Sequence, residues 1–394
     1  MSATASSLRS WLNLDELIAT AQALIRCPSV NPPGDERQAA AVLVAELETV
    51  GAHELRTIEA ADGRHSILAR WGTRGGRALA WNGHTDVVPA GDESDWRYPP
   101  FEGRVAEGRL WGRGAVDMKG PIAAFVQALA LLRRAETPIA GELQISFAAD
   151  EETGGRYGTG YLAQQGLLGP ADAGICCEPS SLDALVAARG RLWIEIVAKG
   201  VSAHASQPDA GRNAVRAILK VAEQLEAIEL PADPHPLVGS ATLTPTMIAG
   251  GESPNSIPAS AVLTIDRRFL PGEPVSEVRG QIAAAVQRVA RTEDVELGVI
   301  ERACFEASEI AADSEIAKVA QNATEAAVGR RPAIGGMPGS TDARFLVAAG
   351  IPTLIFGPGD VREAHTADES IAIDELADGA LAYAATIASF LGSA

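Results

Sequence analysis

Short apolar runs alternate with longer segments of helical periodicity over much of the chain, the pattern of an α/β sheet rather than of a sandwich or a helical bundle. Positions 14–26 and 36–50 carry apolar residues at helical spacing, with Pro28 closing the first segment and Gly51 the second. Four compact apolar runs, at 78–81, 143–149, 173–177 and 353–356, predict buried strands. The segment 122–134 predicts a helix entered through Gly120 and Pro121, since proline suits a first helical turn.

The pattern changes between 189 and 301. There the order is strand (192–198), helix (213–228), strand (241–248), strand (261–269), helix (275–290) and strand (295–300). This βαββαβ order is that of a ferredoxin-like unit. Because α/β patterning resumes after it with a helix at 314–328, the unit reads as an insertion. The expected organisation is one domain in two parts, 1–188 and 302–394, with a second domain at 189–301. No internal repeat or low-complexity segment interrupts this plan, and 231–236 is only a proline-rich loop within the insert.

The chemistry lies where the strands of the larger domain end. The run at 78–81 leads into Asn82, Gly83, His84, Thr85 and Asp86, and the run at 143–149 into Asp150, Glu151 and Glu152. The run at 173–177 leads into Glu178, and that at 353–356 leads through a Gly/Pro loop to His365. In an open α/β sheet the C-terminal edge of the strands is where ligands bind, so residues far apart in sequence converge there. A fifth acid, Asp117, lies in a glycine-bounded turn that enters a helix. Histidine nitrogen and carboxylate oxygen suit zinc and similar cations. Three carboxylates and two histidines match a pair of cation sites that share one carboxylate. Two divalent cations against Asp117, Glu152, Glu178 and a bridging hydroxide leave the site near neutral, which lowers the cost of burying it. Taken singly, an acid at a strand end is more often a helix cap and a lone histidine a satisfied loop residue. Capping, however, requires neither histidines at two strand ends nor adjacent glutamates at a third.

The bulk numbers narrow the class. The chain has 394 residues and 46% hydrophobic content, enough for a full core and for more than one domain. Its 33 Lys+Arg against 51 Asp+Glu give a formal charge of -18, which repels polyanions, so nucleic acid and anionic membrane surfaces are not expected partners. Cys27, Cys176, Cys177 and Cys304 are irregularly spaced and read as reduced thiols, Cys176 and Cys177 as small strand-core residues. The first residues lack the apolar stretch of a secretory signal, and the apolar run at 122–132 is too short for a bilayer, so a cytoplasmic protein is expected. His53, His65 and His235 fall in polar or proline-rich stretches and are assigned no role.

Five motifs resemble those of the M20 metallopeptidases, a family of amino-acid deacetylases and desuccinylases, aminoacylases and glutamate carboxypeptidases. They are Gly-His-Thr-Asp-Val-Val-Pro at 83–89, Gly-Arg-Gly-Ala-Val-Asp-Met-Lys-Gly at 112–120, Asp-Glu-Glu-Thr-Gly at 150–154, Cys-Glu-Pro at 177–179 and Ala-His-Thr-Ala-Asp-Glu-Ser at 364–370. The resemblance spans nearly the whole chain. It implies a mixed-sheet catalytic domain sandwiched by helices, with the insert as a lid and dimerisation domain. It also implies two divalent cations, zinc with cobalt or manganese as alternatives: His84, Asp117 and Glu178 would hold one, and Asp117, Glu152 and His365 the other. Asp86 would orient the His84 imidazole, Glu151 would be the general base, and His204 in Gly-Val-Ser-Ala-His-Ala-Ser (200–206) would stabilise the oxyanion. Asn255 and Arg268 match substrate-binding positions, and Gly339, Ser340 and Thr341 match a loop that lines the pocket.

The expected activity is removal of an N-acyl group from an amino-acid-like substrate with a free carboxylate, by a homodimer, through a water that Glu151 activates between the cations. Dipeptidase or carboxypeptidase activity is the alternative, and a non-catalytic metal- or peptide-binding protein the more distant one. Glutamate at 178 disfavours the aminopeptidase and carbamoylase branches, while Ala-Arg-Gly at 188–190 leans towards deacetylases and desuccinylases. A phosphate-binding enzyme would need a glycine-rich loop followed by lysine after a strand, a pattern that 112–115 lacks.

Overall fold

The computed structural model describes residues 8–392. Its larger sheet has nine strands among the described residues, and at its centre Glu142–Ala148, Ala78–His84, Ala173–Cys176 and Thr353–Ile355 lie side by side. These four are mutually parallel, with His84 beside Ala148, Asn82 beside Cys176 and Ile355 beside Cys176. Parallel pairing points all four C-terminal ends to one edge. Outside them, the hairpin His53–Glu59 and His65–Gly72 pairs antiparallel, and Ala184–Ala188 pairs antiparallel with Thr353–Ile355.

Side-chain alternation explains the layers. Trp81 points to one face, where its ring stacks on Phe125 of the helix Lys119–Arg134 at 4.5 Å and meets Tyr383 of the helix Ile373–Leu391 at 4.7 Å. Its neighbour Ala80 points to the other face and packs with Leu346 and Ile351. Both faces are therefore apolar and covered by helices, as parallel strands require.

Local chemistry sets the helix ends. Asn13 caps Leu14–Ile25 by accepting the N–H groups of Asp15 and Glu16, Asn213 caps Ala214–Glu226 through Arg216 N–H, and Gly329 ends Glu315–Val328 in a left-handed conformation.

Contacts divide the chain into two compact units, one of Met1–Val186, Glu309–Met337 and Thr341–Ala394, the other of Ala187–Ser308 with Pro338–Ser340. The second unit holds a four-stranded antiparallel sheet in the order Thr242–Gly250, Ser260–Phe269, Gly190–Lys199, Glu296–Phe305. Its helices Ala214–Glu226 and Val275–Ala290 join that sheet in one apolar core, which completes the ferredoxin-like plan. The last strand runs on to Phe305, past the limit of 301 read from the sequence. Glu301 and Arg302 interrupt the apolar run there, while Ala303, Cys304 and Phe305 beyond them still pair with Gly190–Lys199.

Candidate active site

His84 is the last residue of its strand and wholly buried. Its Nδ1 lies 3.0 Å from the main-chain oxygen of Asp86, which can only accept, so Nδ1 carries a proton and Nε2 is the nitrogen turned to the neighbouring acids. Nε2 lies 2.9 Å from the Oδ1 of Asp117 and 3.8 Å from the Oε1 of Glu178. The other oxygen of Asp117 lies 3.2 Å from the Nε2 of His365, which is also 3.2 Å from the Oε1 of Glu152. Asp117 thus stands between two imidazoles, one carboxylate oxygen towards each.

This donor set fits a pair of cations. With Nδ1–H committed to the Asp86 carbonyl, Nε2 and the facing Asp117 oxygen need a positive charge between them, a proton or a cation, and against the effect of burial the surrounding acids raise the His84 imidazole accordingly. Donor atoms of His84, Asp117 and Glu152 lie within 4.8 Å of one another, as do those of His84, Glu151 and Glu178. Electrostatics agree. Burial, then the neighbouring Asp117, raises the Glu178 and Glu152 carboxyls, and Glu151 is pushed up to about 8 by burial against the pull of His84 and Arg344. The His365 imidazole is driven up to about 11 by hydrogen bonds to Asp117 and Glu152. A crowd of buried acids that resists ionising, around histidines that hold extra protons, is the signature of a site built for added positive charge.

Asp86 plays a wider part than the resemblance implied. Its carboxylate lies 3.5 Å from the His84 ring, but its shorter contacts are to the N–H groups of Glu151 and Glu152, at 3.1 Å each. One carboxylate thus fixes the general-base candidate and its neighbour together. The loop itself turns at Asp150, whose left-handed backbone (φ 69°) redirects the chain out of the strand. Asp150 is held by Arg64 at 2.7 Å and by Thr153 at 2.6 Å, while Asn31 links it to Asp86, donating to Asp86 at 2.8 Å. Sequence reading missed Asn31 and Arg64 because neither lies near a strand end of the site.

Arg344 also lies outside the residues singled out from the sequence. Arg344 is buried, donates to the main-chain oxygens of Thr341 and Gly154, and brings its guanidinium to 3.9 Å from Glu151. Thr341, two residues from the buried Ala343, is itself buried. Cys176 and Cys177 are fully buried, with burial raising both thiols.

The remaining predicted residues lie in the second unit. His204 is exposed, and its Nδ1 accepts the Ser206 N–H at 3.2 Å, which leaves Nε2–H as an outward donor. A bridge between His204 and Ser256 sets it beside Asn255, whose carbonyl oxygen accepts the Ala205 N–H at 2.9 Å. Arg268 donates to Asp266 at 2.6 and 3.0 Å, on the sheet face that also carries Trp193. Ser340 donates to the Glu306 carbonyl at 3.1 Å, and Gly339 has open space where a Cβ would stand.

The profile of peptidase family M20/M25/M40 matches residues 80–389. The chain belongs to this family. It is 31% identical over 363 residues to succinyl-diaminopimelate desuccinylase of Paracoccus denitrificans (strain Pd 1222), an alignment that covers 90% of this chain and 92% of that protein. In fold it is similar to the di-peptidase Dug1p from Saccharomyces cerevisiae, with a TM-score of 0.79 and 16% identity over 100% of both chains. It is also similar to Bacillus subtilis YXEP, a dinuclear metal binding peptidase of the M20 family, with a TM-score of 0.71 and 17% identity over 97% of this chain and 99% of that one. The protein is therefore an M20 hydrolase, a metal-dependent amidohydrolase with a centre for two divalent cations. Among the described residues no helix is long and apolar enough to cross a membrane.

Proposed function

We propose that this M20 protein hydrolyses the amide of an N-acyl amino acid with a free carboxylate, with an N-succinyl diamino acid as the first substrate to try. The observation that carries the reading is Asp117 set between His84 and His365, with Glu151 buried beside them. Identity to a desuccinylase along nine-tenths of the chain supports the acyl group. Two Zn2+ ions, held by His84, Asp117 and Glu178 and by Asp117, Glu152 and His365, would polarise the scissile carbonyl and ease deprotonation of water. Glu151 takes the proton of the attacking water and hands it to the leaving nitrogen, acting first as base and then as acid. His204 donates its Nε2–H to the developing oxyanion, and Asn255 orients the amide.

Arg268 receives the substrate carboxylate. It would exchange its Asp266 partner for the substrate's anion, a charged hydrogen bond worth about 1.5–3 kcal/mol. The test is a panel of N-succinyl, N-acetyl and dipeptide compounds on enzyme reconstituted with Zn2+, Co2+ or Mn2+, with Arg268→Ala assayed on each acid and on its carboxamide. We expect the succinyl amide to turn over fastest and Arg268→Ala to raise KM for acids selectively. Preference for dipeptides would make the protein a dipeptidase, and inertness towards the whole panel a binding protein. Equal losses on acid and amide would make Arg268 structural.

The insert also supplies a dimer surface. Thr242–Gly250 is an edge strand that leaves Met247 70% and Ile248 58% exposed, a combination that invites pairing with a second copy. Sedimentation is expected to show a dimer that Met247→Glu with Ile248→Lys dissociates. A fully active wild-type monomer would rule out a His204 shared across subunits.

A further inference from the structure

Glu369 and Arg113 form an ion pair that none of the roles above uses. Both are buried, at 0% and 2% exposure, and Arg113 donates to the Oε2 of Glu369 at 2.6 Å. The Oε1 accepts three main-chain N–H groups, from Gly114 at 3.0 Å, Val116 at 2.8 Å and Asp117 at 3.1 Å. Arg113 also donates to the main-chain oxygens of Thr366 at 3.1 Å and Pro89 at 3.3 Å. Gly112 N–H closes the arrangement on the Glu369 carbonyl at 2.9 Å.

These contacts reach three segments, and each carries a proposed cation ligand. Residues 84–89 begin with His84, 112–120 contain Asp117, and 365–369 begin with His365. The planar guanidinium is suited to this, because it reaches a carboxylate and two carbonyls in fixed directions that an ammonium would not hold. His365 and Asp368 both have left-handed backbones, φ 62° and 61°, a conformation that non-glycine residues keep only where their surroundings fix it. Glu369, next in the chain, fixes it from one side.

We propose that Arg113 and Glu369 are positioning residues of the dinuclear centre, a clasp that holds Asp117 in register with His365. The cation shared by Asp117, Glu152 and His365 then depends on the clasp more than the cation of His84, Asp117 and Glu178. This rests on the ligand assignment above. The competing account is a buried ion pair that only stabilises the fold.

The test is titration of metal-free, full-length protein with Zn2+ against a competing chelator, for wild type, Glu369→Gln, Arg113→Lys and Leu47→Ala. Glutamine keeps the volume and one acceptor oxygen but loses the charge. Leu47, buried in the helix Arg37–Thr49, controls for general destabilisation. Removing an outer partner of metal ligands typically weakens binding about 10–100-fold. We expect that loss on one of the two binding steps of Glu369→Gln, with a smaller change on the other and none in Leu47→Ala at matched loss of Tm. Two native-like steps in Glu369→Gln, or equal weakening of both, would overturn the proposal. Should Glu369→Gln not fold, Arg113→Lys decides by the same criteria. A wild-type protein that binds fewer than two Zn2+ ions would instead sink the underlying ligand assignment.

Discussion

Glu151→Gln is expected to retain two cations per chain and to lose roughly 10²–10⁴-fold in turnover, the usual scale for removing a general base. The variant is nearly isosteric, and the features that place the side chain lie in the backbone: Glu151 N–H is tied to Asp86, and the turn at Asp150 is set by Arg64 and Thr153. Geometry should survive while the capacity to accept a proton does not. The neighbouring Glu152 keeps its oxygen towards His365, so cation binding should be little changed. Burial pushes the free Glu151 carboxyl up to about 8. Cations bound beside it would oppose that push and favour the ionised form a base needs. Elemental analysis alongside steady-state kinetics decides the matter, and a fully metallated variant with near-native turnover would remove Glu151 from the mechanism.

Asp117→Asn should be more damaging still, because it touches both cations. Each Asp117 oxygen faces a different imidazole, so the amide replaces one of two acceptor oxygens with a donor and removes the negative charge the pair would share. The expected result is fewer than one tightly held cation per chain and turnover near background. His365→Ala provides the contrast, since it removes a ligand from one cation only and should leave a chain that holds about one. Equal metal content in Asp117→Asn and wild type would show that Asp117 does not bridge.

The parts of this site that could be read from the sequence are those tied to parallel strands. Apolar runs buried on both faces are conspicuous, and the residue just beyond each one has a known place at the sheet edge, so His84, Glu151, Glu152 and Glu178 could be picked out in advance. The hairpin His53–Glu59 and His65–Gly72 went unread because its first strand is an edge whose side chains are mostly exposed, leaving no clear alternation. The helix Ile373–Leu391 escaped for the opposite reason: it is alanine-rich and buried nearly all round, so no polar face marks its period. Asn31, Arg64, Arg113 and Glu369 were invisible as a group. Their roles arise from hydrogen bonds between segments distant in sequence, which no local periodicity encodes. Asp86 was assigned as a partner of His84 through the family resemblance, whereas its bonds to Glu151 and Glu152 required the fold.

One feature at the root of the insert bears on how freely such a chain can be rearranged. Ile310 N–H donates to the Val186 carbonyl at 2.9 Å, so the outgoing and returning chains are pinned together where the excursion begins. The entropy of closing that loop grows only slowly with its length. A short flexible linker in place of the insert would therefore span the same pinned ends, leaving the strands that carry Glu178 and lead to His365 under no new tension. The excursion is in this sense an exchangeable module, and members of a lineage could trade its contents while the cation-binding half of the molecule stayed as it was.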